Sequence, residues 1–230
     1  MKTKNKTWLY PFIVIMGLLC IAGFCNKDEE EETVTNTDKD GNVYTSVTIG
    51  TQIWMVENLK TTKLNDGSSI TYITDKNQWE FLTTPGLGWW SNDEATYKDP
   101  YGAYYNWNAV KSGKLCPSGW HVPSDSEWTT LISFLGGEDV AGGKLKETGT
   151  VHWKSPNTGA SNESGFTAVG GGYRYYFGTY SNFGANGIYW SSTEYNADEA
   201  WTFACGYAST KTWINSYYKP FGYNVRCLKN

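Results

Sequence analysis

The sequence predicts an α+β fold, with a few short helices followed by an antiparallel sheet and long irregular loops. Three observations carry this expectation. Aromatic residues make up 17% of the 230 residues, with 12 Trp, 17 Tyr and 9 Phe, while charged residues reach only 18%. Such a composition suits short strands and turns better than a helical bundle. Apolar residues fall at helical spacing in one strong stretch near the middle, and two-residue alternation governs the last third. The aromatic content also excludes a disordered chain. With only two arginines, Arg174 and Arg226, and a formal charge of -4, the chain has no basic footprint for nucleic acid.

The chain opens with Lys2, Lys4 and Lys6, followed by an apolar run from Trp8 to Phe24. This charged-then-apolar layout is that of a secretion signal. At 17 residues the run also reaches the lower edge of a membrane-spanning helix, so an uncleaved anchor and an ordinary cleaved signal are both compatible with it. Residues 1–24 are read as the signal and residues 25–38, acidic from Asp28 to Glu32 and then rich in Thr and Asn, as a tether. No charge block or Pro/Ser tract divides the remainder, so 39–230 is read as one domain, large enough to bury roughly 70% of its unfolded surface.

Within that domain Val43, Thr45 and Val47 alternate with Tyr44, Ser46 and Thr48 before a Gly50-Thr51 turn, and Ile53 to Val56 resumes, which predicts an early strand pair. Weaker patterns predict short helices near Asp75 to Leu82 and near Ala103 to Val110. Ser124-Asp125-Ser126-Glu127 is a capping box, in which the serine hydroxyl and the glutamate carboxylate satisfy exposed amides reciprocally. Trp128, Leu131, Ile132 and Leu135 then follow at i, i+3, i+4 and i+7 until Gly136-Gly137 stops the helix. Strands are predicted at Gly187 to Ser192, at Ala200 to Tyr207, at Trp213 to Tyr217 after an Ala208 to Lys211 turn, and at Gly222 to Leu228. On the second of these Trp201, Phe203, Cys205 and Tyr207 make a bulky face against a small one of Ala200, Thr202, Ala204 and Gly206.

Several stretches carry resemblances. Ala22-Gly23-Phe24-Cys25 resembles the lipobox of bacterial lipoproteins, in which the new N-terminal cysteine is acylated, although Phe24 stands where Gly, Ala or Ser is usual. Cys25-Asn26-Lys27-Asp28-Glu29-Glu30 is similar to the export signal that sends lipoproteins of the Bacteroidota to the outer face of the outer membrane. These resemblances imply a lipid-anchored outer-membrane protein attached at Cys25 and facing the exterior. Loss of the three lysines with the signal takes the formal charge from -4 to -7.

Six further blocks occur in order: Ile49 to Leu59, Asn65-Asp66-Gly67, Tyr101 to Trp107, Leu115 to Trp128, Tyr189 to Glu194 and Gly222 to Cys227. Together they resemble the Fibrobacter succinogenes major paralogous domain, common in surface lipoproteins of Bacteroidota. That family is similar, more distantly, to the C-type-lectin-like fold shared with formylglycine-generating enzymes. The resemblance implies paired N- and C-terminal strands and a large irregular loop region carrying any ligand. It also implies a bridge from Cys116, beside the helix, to Cys227 on the last strand. A Cys205 to Cys227 bridge and free thiols are the alternatives, with Cys205 otherwise a buried core thiol.

Chemistry is sparse. The paired cysteines with which formylglycine-generating enzymes hold copper are absent, since Cys205 and Cys227 stand 22 positions apart, so a copper-dependent oxidase has little support. His121 and His152 form no metal-spacing motif, and His121 reads as a satisfied core residue. No nucleophile elbow, phosphate loop or zinc-protease motif appears. The calcium-ligand motifs of lectins are missing, and Asn92-Asp93-Glu94 with Asp99 reads as a solvated turn. The expectation is therefore a domain without catalysis, metal or cofactor that binds an extracellular glycan or protein, the alternative being a structural part of a surface assembly. Trp54, Trp107, Trp120, Trp128 and Trp190 are expected in the core, and Tyr180, Tyr195, Trp213 and Tyr218 at a ligand surface, where flat rings beside amides and hydroxyls suit stacking.

Overall fold

Leu228 pairs with Trp54 on one side and with His121 on the other, so the last described strand sits inside a sheet between strands from much earlier in the chain. The computed structural model describes residues 36–230, and the signal, Cys20, Cys25 and most of the tether lie outside the described residues. The described residues belong to one compact unit. A hairpin pairs β1 (Asn36–Thr37), at the end of the segment whose composition reads as tether, with β2 (Val43–Tyr44) at the start of the domain. Its Asn36 is held by the Trp120 indole, which donates to Asn36 Oδ1 at 2.9 Å.

The strand pair expected next is β3 (Ser46–Ile49) and β4 (Gln52–Met55). These join β14 (Leu228–Lys229) and β8 (Trp120–His121) in an antiparallel sheet of order β3-β4-β14-β8. The resemblance implied this pairing of terminal strands. The predicted last strand is shorter than expected, because only Leu228–Lys229 enters a ladder while Gly222 to Asn224 make isolated bridges. A second sheet has β5 (Thr71–Tyr72), β6 (Gly86–Gly88) and β7 (Tyr104–Tyr105), and a small hairpin joins β9 (Tyr173–Arg174) to β10 (Tyr180–Ser181). The largest ladder is β11 (Asn186–Glu194), β12 (Glu199–Gly206) and β13 (Thr212–Tyr218), all antiparallel.

Five short helices accompany the sheets among the described residues: α1 (Lys76–Glu80), α2 (Glu94–Tyr101), α3 (Trp107–Lys111), α4 (Asp125–Phe134) and α5 (Glu138–Leu145). α4 follows its sequence signals closely. The Ser124 N–H donates to Glu127 Oε2 at 2.7 Å, the Glu127 N–H returns to Ser124 Oγ at 3.3 Å, and Trp128, Leu131, Ile132 and Leu135 are buried. The helix expected from Ala103 starts only at Trp107, because Tyr104 and Tyr105 pair with Gly88 and Leu87 and the Asn106 side chain caps the turn that follows.

β12 divides two cores. Ala200 and Ala204 face the first, Phe203 and Cys205 the second. The small face receives large rings from the next strand, since Ala204 pairs with Trp213 and Ala200 with Tyr217. On the bulky face Phe203 stacks on Trp128 at 4.4 Å between centroids. The five tryptophans expected in the core are all there. Both arginines and Lys146 are buried too, and none pairs with a carboxylate among the described residues. Carbonyl oxygens and ring faces hold them instead: Lys146 Nζ donates to the carbonyls of Thr158, Gly206 and Ser209, and the Arg174 guanidinium lies 4.2 Å from the Trp79 ring.

Asp40 knots the β1–β2 hairpin to the chain at residues 61–63. Its Oδ2 accepts from the Thr62 N–H and from the Thr61 and Thr62 hydroxyls, and its Oδ1 lies 3.2 Å from Lys63 Nζ. Burial alone would raise this carboxyl, but these donors outweigh it and hold the pKa below its ordinary value. A depressed acid contributes stability above its unfolded pKa of about 4 and loses it as pH falls through the folded value. Asp40→Asn is therefore expected to lower stability by about 1–2 kcal/mol at pH 7 and to flatten the decline below pH ~4. Urea melts from pH 7 to 2 check this, and an unchanged acid slope would contradict it.

Candidate functional site: an aromatic groove

α1 is only five residues long, and its two sides have opposite fates. Asp75 caps it by accepting from the Asn77 N–H at 2.7 Å. Trp79 then turns inward, 1% exposed, and its indole donates to Pro220 O at 2.7 Å. Two residues further on, a helical turn carries Phe81 to the other side, where it is 76% exposed. Phe81 forms one lip of a groove of about 420 Å³. Glu80, Asn108, Asp198 and Tyr218 line it as well.

The facing wall is rigid. Lys219 Nζ donates to the Asn196 and Ala197 carbonyls, pairs with Glu194, and sits 4.8 Å from the Trp107 ring, which ties the β11–β12 turn to the end of β13. Tyr218, half exposed, stands at the outer end of a column of rings. Its neighbours run from Tyr176 at 6.0 Å to Phe221 at 5.4 Å, then to Tyr223 at 5.4 Å and Trp190 at 4.8 Å deep in the core. Phe177 packs on Tyr176 at 3.9 Å and is itself exposed. Rings already held from behind lose little freedom when a ligand stacks on them. The groove also offers hydrogen-bonding capacity, since among the described residues the Glu80 and Asp198 carboxylates make no hydrogen bond or ion pair.

A second cavity of about 260 Å³ is lined by Glu57, Asp99, Glu147, His152 and Arg226. Here every carboxylate is already engaged. Glu57 accepts from the Thr45 N–H and hydroxyl, Asp99 pairs with Lys60, and Glu147 lies 2.7 Å from His152 Nδ1. The unengaged polar groups thus favour the first groove. The Asn92 to Asp99 segment, expected as a solvated turn, mostly forms α2 and is occupied with its own structure, since Asp93 caps the helix by accepting from the Thr96 N–H and Glu94 pairs with Lys98. Among the described residues no group of three or more His, Cys, Asp or Glu could hold a metal ion.

The four rings expected at a ligand surface are not brought together. Tyr218 lines the groove. Tyr195 is exposed and packs edge-on against Trp201 at 4.8 Å. Tyr180 lies beside Trp90 at 5.4 Å and donates to Asn92 Oδ1 at 2.8 Å. Trp213 packs against the first core, over Ala204. Phe81, Glu80 and Asp198 were not anticipated. No periodic pattern singles out Phe81, since Leu82 beside it lines the groove as well.

The remaining chemistry-bearing residues are structural. Cys116 and Cys227 form the disulfide that the resemblance implied, with Cα atoms 6.0 Å apart. Cys205 is a buried free thiol whose pKa burial pushes up to about 12, which leaves no thiolate at neutral pH. His121 is not the core residue expected. It is partly exposed, and its ring bridges Glu127 Oε1 at 3.0 Å and Asn230 Oδ1 at 2.7 Å.

These features define a disulfide-stapled α+β domain with an aromatic core and an aromatic surface groove. The profile of the Fibrobacter succinogenes major domain matches residues 47–229, and the chain belongs to that family. Among curated proteins and among solved structures there is no match.

Proposed function

We propose that this chain is a lipoprotein, acylated at Cys25 and facing the exterior from the outer membrane, whose C-type-lectin-like domain binds an extracellular glycan or protein without catalysis. The observation that carries the binding reading is the groove. Contiguous apolar rings at a surface are uncommon unless something covers them, and here Phe81 at 76%, Tyr218 at 53% and Phe177 at 46% exposure accompany two unengaged carboxylates. Of these rings Phe81 and Tyr218 line the groove, while Phe177 reaches it only through Tyr176; ring faces for stacking beside acceptors for hydroxyl or amide donors are the means by which such surfaces hold polar ligands. The export reading rests on the Lys2 to Glu32 sequence.

Arrays of glycans and of extracellular proteins, probed with the mature protein with and without EDTA, test the binding. Phe81→Ala and Tyr218→Ala are each expected to weaken the captured ligand tenfold or more, in line with an anchor ring worth about 1.5–2 kcal/mol, with no change in melting. Wild-type affinity in both variants would remove the groove from consideration. Mass spectrometry of native material tests the anchor, and a mature peptide retaining Lys2 would rule it out.

A further inference from the structure

The β11–β12–β13 ladder is finished on only one side. β11 is bridged further by Gly172 at Gly187 and by Asn224 at Tyr189, and its pairing with β12 shifts register between Trp190 and Glu194. β13 has no such protection. It pairs with β12 in unbroken register from Tyr218 opposite Glu199 to Thr212 opposite Cys205, and among the described residues β12 is its only strand neighbour. α5 closes the Thr212 end, where the threonine hydroxyl donates to Glu138 O at 3.4 Å. From Trp213 to Tyr217 the backbone bonds nothing but β12 among the described residues.

Edges of this length are ordinarily blunted by a charged side chain, a proline or a bulge. The seven residues Thr-Trp-Ile-Asn-Ser-Tyr-Tyr contain no charge and no proline, and their ladder has no bulge. An open edge presents donors and acceptors at a spacing that another extended strand satisfies.

We propose that β13 is a homotypic docking edge, at which two copies of the chain pair β13 to β13 in antiparallel fashion and join two three-stranded sheets into one of six. The strand is its own complement. A two-fold axis through Asn215 sets Trp213 against the Tyr217 of the second copy and Ile214 against its Ser216. This register spans the whole uncovered stretch and keeps like faces together. Trp213 and Tyr217 both lie on the side of the first core, so aromatic meets aromatic across the seam. Asn215, exposed, meets its own amide, which both donates and accepts. The flanking lysines bring no bare charge to the axis, because Lys211 pairs with Asp139 and Lys219 with Glu194. The inference stands apart from the ligand reading, as it uses neither Phe81 nor the groove carboxylates.

The test uses the full chain on the cells that make it. Residues directly opposite in an antiparallel pair have Cα atoms about 4.5–5.5 Å apart, within disulfide reach. Asn215→Cys is expected to yield a dimer band on a non-reducing gel at least tenfold faster than Thr48→Cys, an exposed position on β3. Asn215→Lys, which opposes two ammonium groups on the axis, is expected to turn a sedimenting dimer of the purified protein into a monomer that melts like the wild type at dilutions where that too is monomeric. A wild-type monomer at about 100 μM, equal cross-linking of the two cysteine variants, or capture of a different protein at Asn215→Cys in place of the second copy would each overturn the proposal.

Discussion

Replacing Cys116 and Cys227 together by serine is expected to lower stability by about 5 kcal/mol. The disulfide closes a loop with a sequence separation of 111, and the chain-entropy relation for a loop of that length gives this figure. Position adds to it. Cys116 is 2% exposed and Cys227 fully buried, so each serine hydroxyl would need a partner in an apolar cluster. The bond also joins the turn before β8 to the stretch before β14, where the Met55 N–H donates to Cys227 O at 3.0 Å. Losing it frees the central strand of the four-stranded sheet from its covalent register. In a domain of this size the thermal midpoint is expected to fall by on the order of 10 °C or more. Urea melts of the double variant, and of the wild type with and without reductant, check the value. A loss under about 2 kcal/mol would mean that the unfolded ensemble is already compact, and the entropy account would not hold for this chain.

Where local signals agree, the sequence is readable, and α4 shows why. The capping box, the i, i+3, i+4, i+7 spacing and the terminal glycines all specify one helix, and each is seen in place. α5 was missed because Gly142 and Gly143 count against a helix. Tertiary contact demands them, since a Cβ at Gly142 would stand 2.5 Å from Lys211 O and one at Gly143 2.6 Å from Gly159 O. Tyr104 and Tyr105 carry no local sign that they pair with Leu87 and Gly88, a partnership set by residues far along the chain. The site was harder still. Whether Trp213 is a surface ring depends on Ala204 opposite it leaving room on the core side, and single-strand parity does not reveal that. The groove takes its walls from α1, α3, the β11–β12 turn and the end of β13, so no single stretch of sequence could announce it.

The family block from Gly222 to Cys227 places function and fold in sharper contrast, and Arg226 is its severest test. Gly222 admits the Trp79 ring, whose Cζ2 would lie 2.8 Å from a Cβ, and the Asn224 amide donates to Tyr101 O and Ala103 O. Arg226 is 1% exposed with no acid partner. Its Nε and Nη2 donate to Asn58 Oδ1, its Nη1 to Met55 O and Phe166 O, and its plane lies 4.3 Å from the Phe166 ring. Burial pushes the guanidinium pKa down, because desolvation disfavours the charged form. Two effects then compete. A neutral side chain of similar volume removes the desolvation penalty, and where a buried ion pair is replaced as a unit this can stabilise. Here the partners are two backbone carbonyls and one amide oxygen that no single substitution removes. Left unpaired they cost about 1–3 kcal/mol each, less whatever water entering from the adjoining cavity restores. Orphaned acceptors outweigh relieved desolvation, so Arg226→Met is expected to lose about 3 kcal/mol and Arg226→Ala, which adds a void, about 4–5 kcal/mol. Arg226→Lys keeps the charge and reaches fewer acceptors, so it is expected to fall between Arg226→Met and the wild type. Urea melts order the three variants. A methionine variant more stable than the wild type would reverse the argument and make desolvation the governing term at this site.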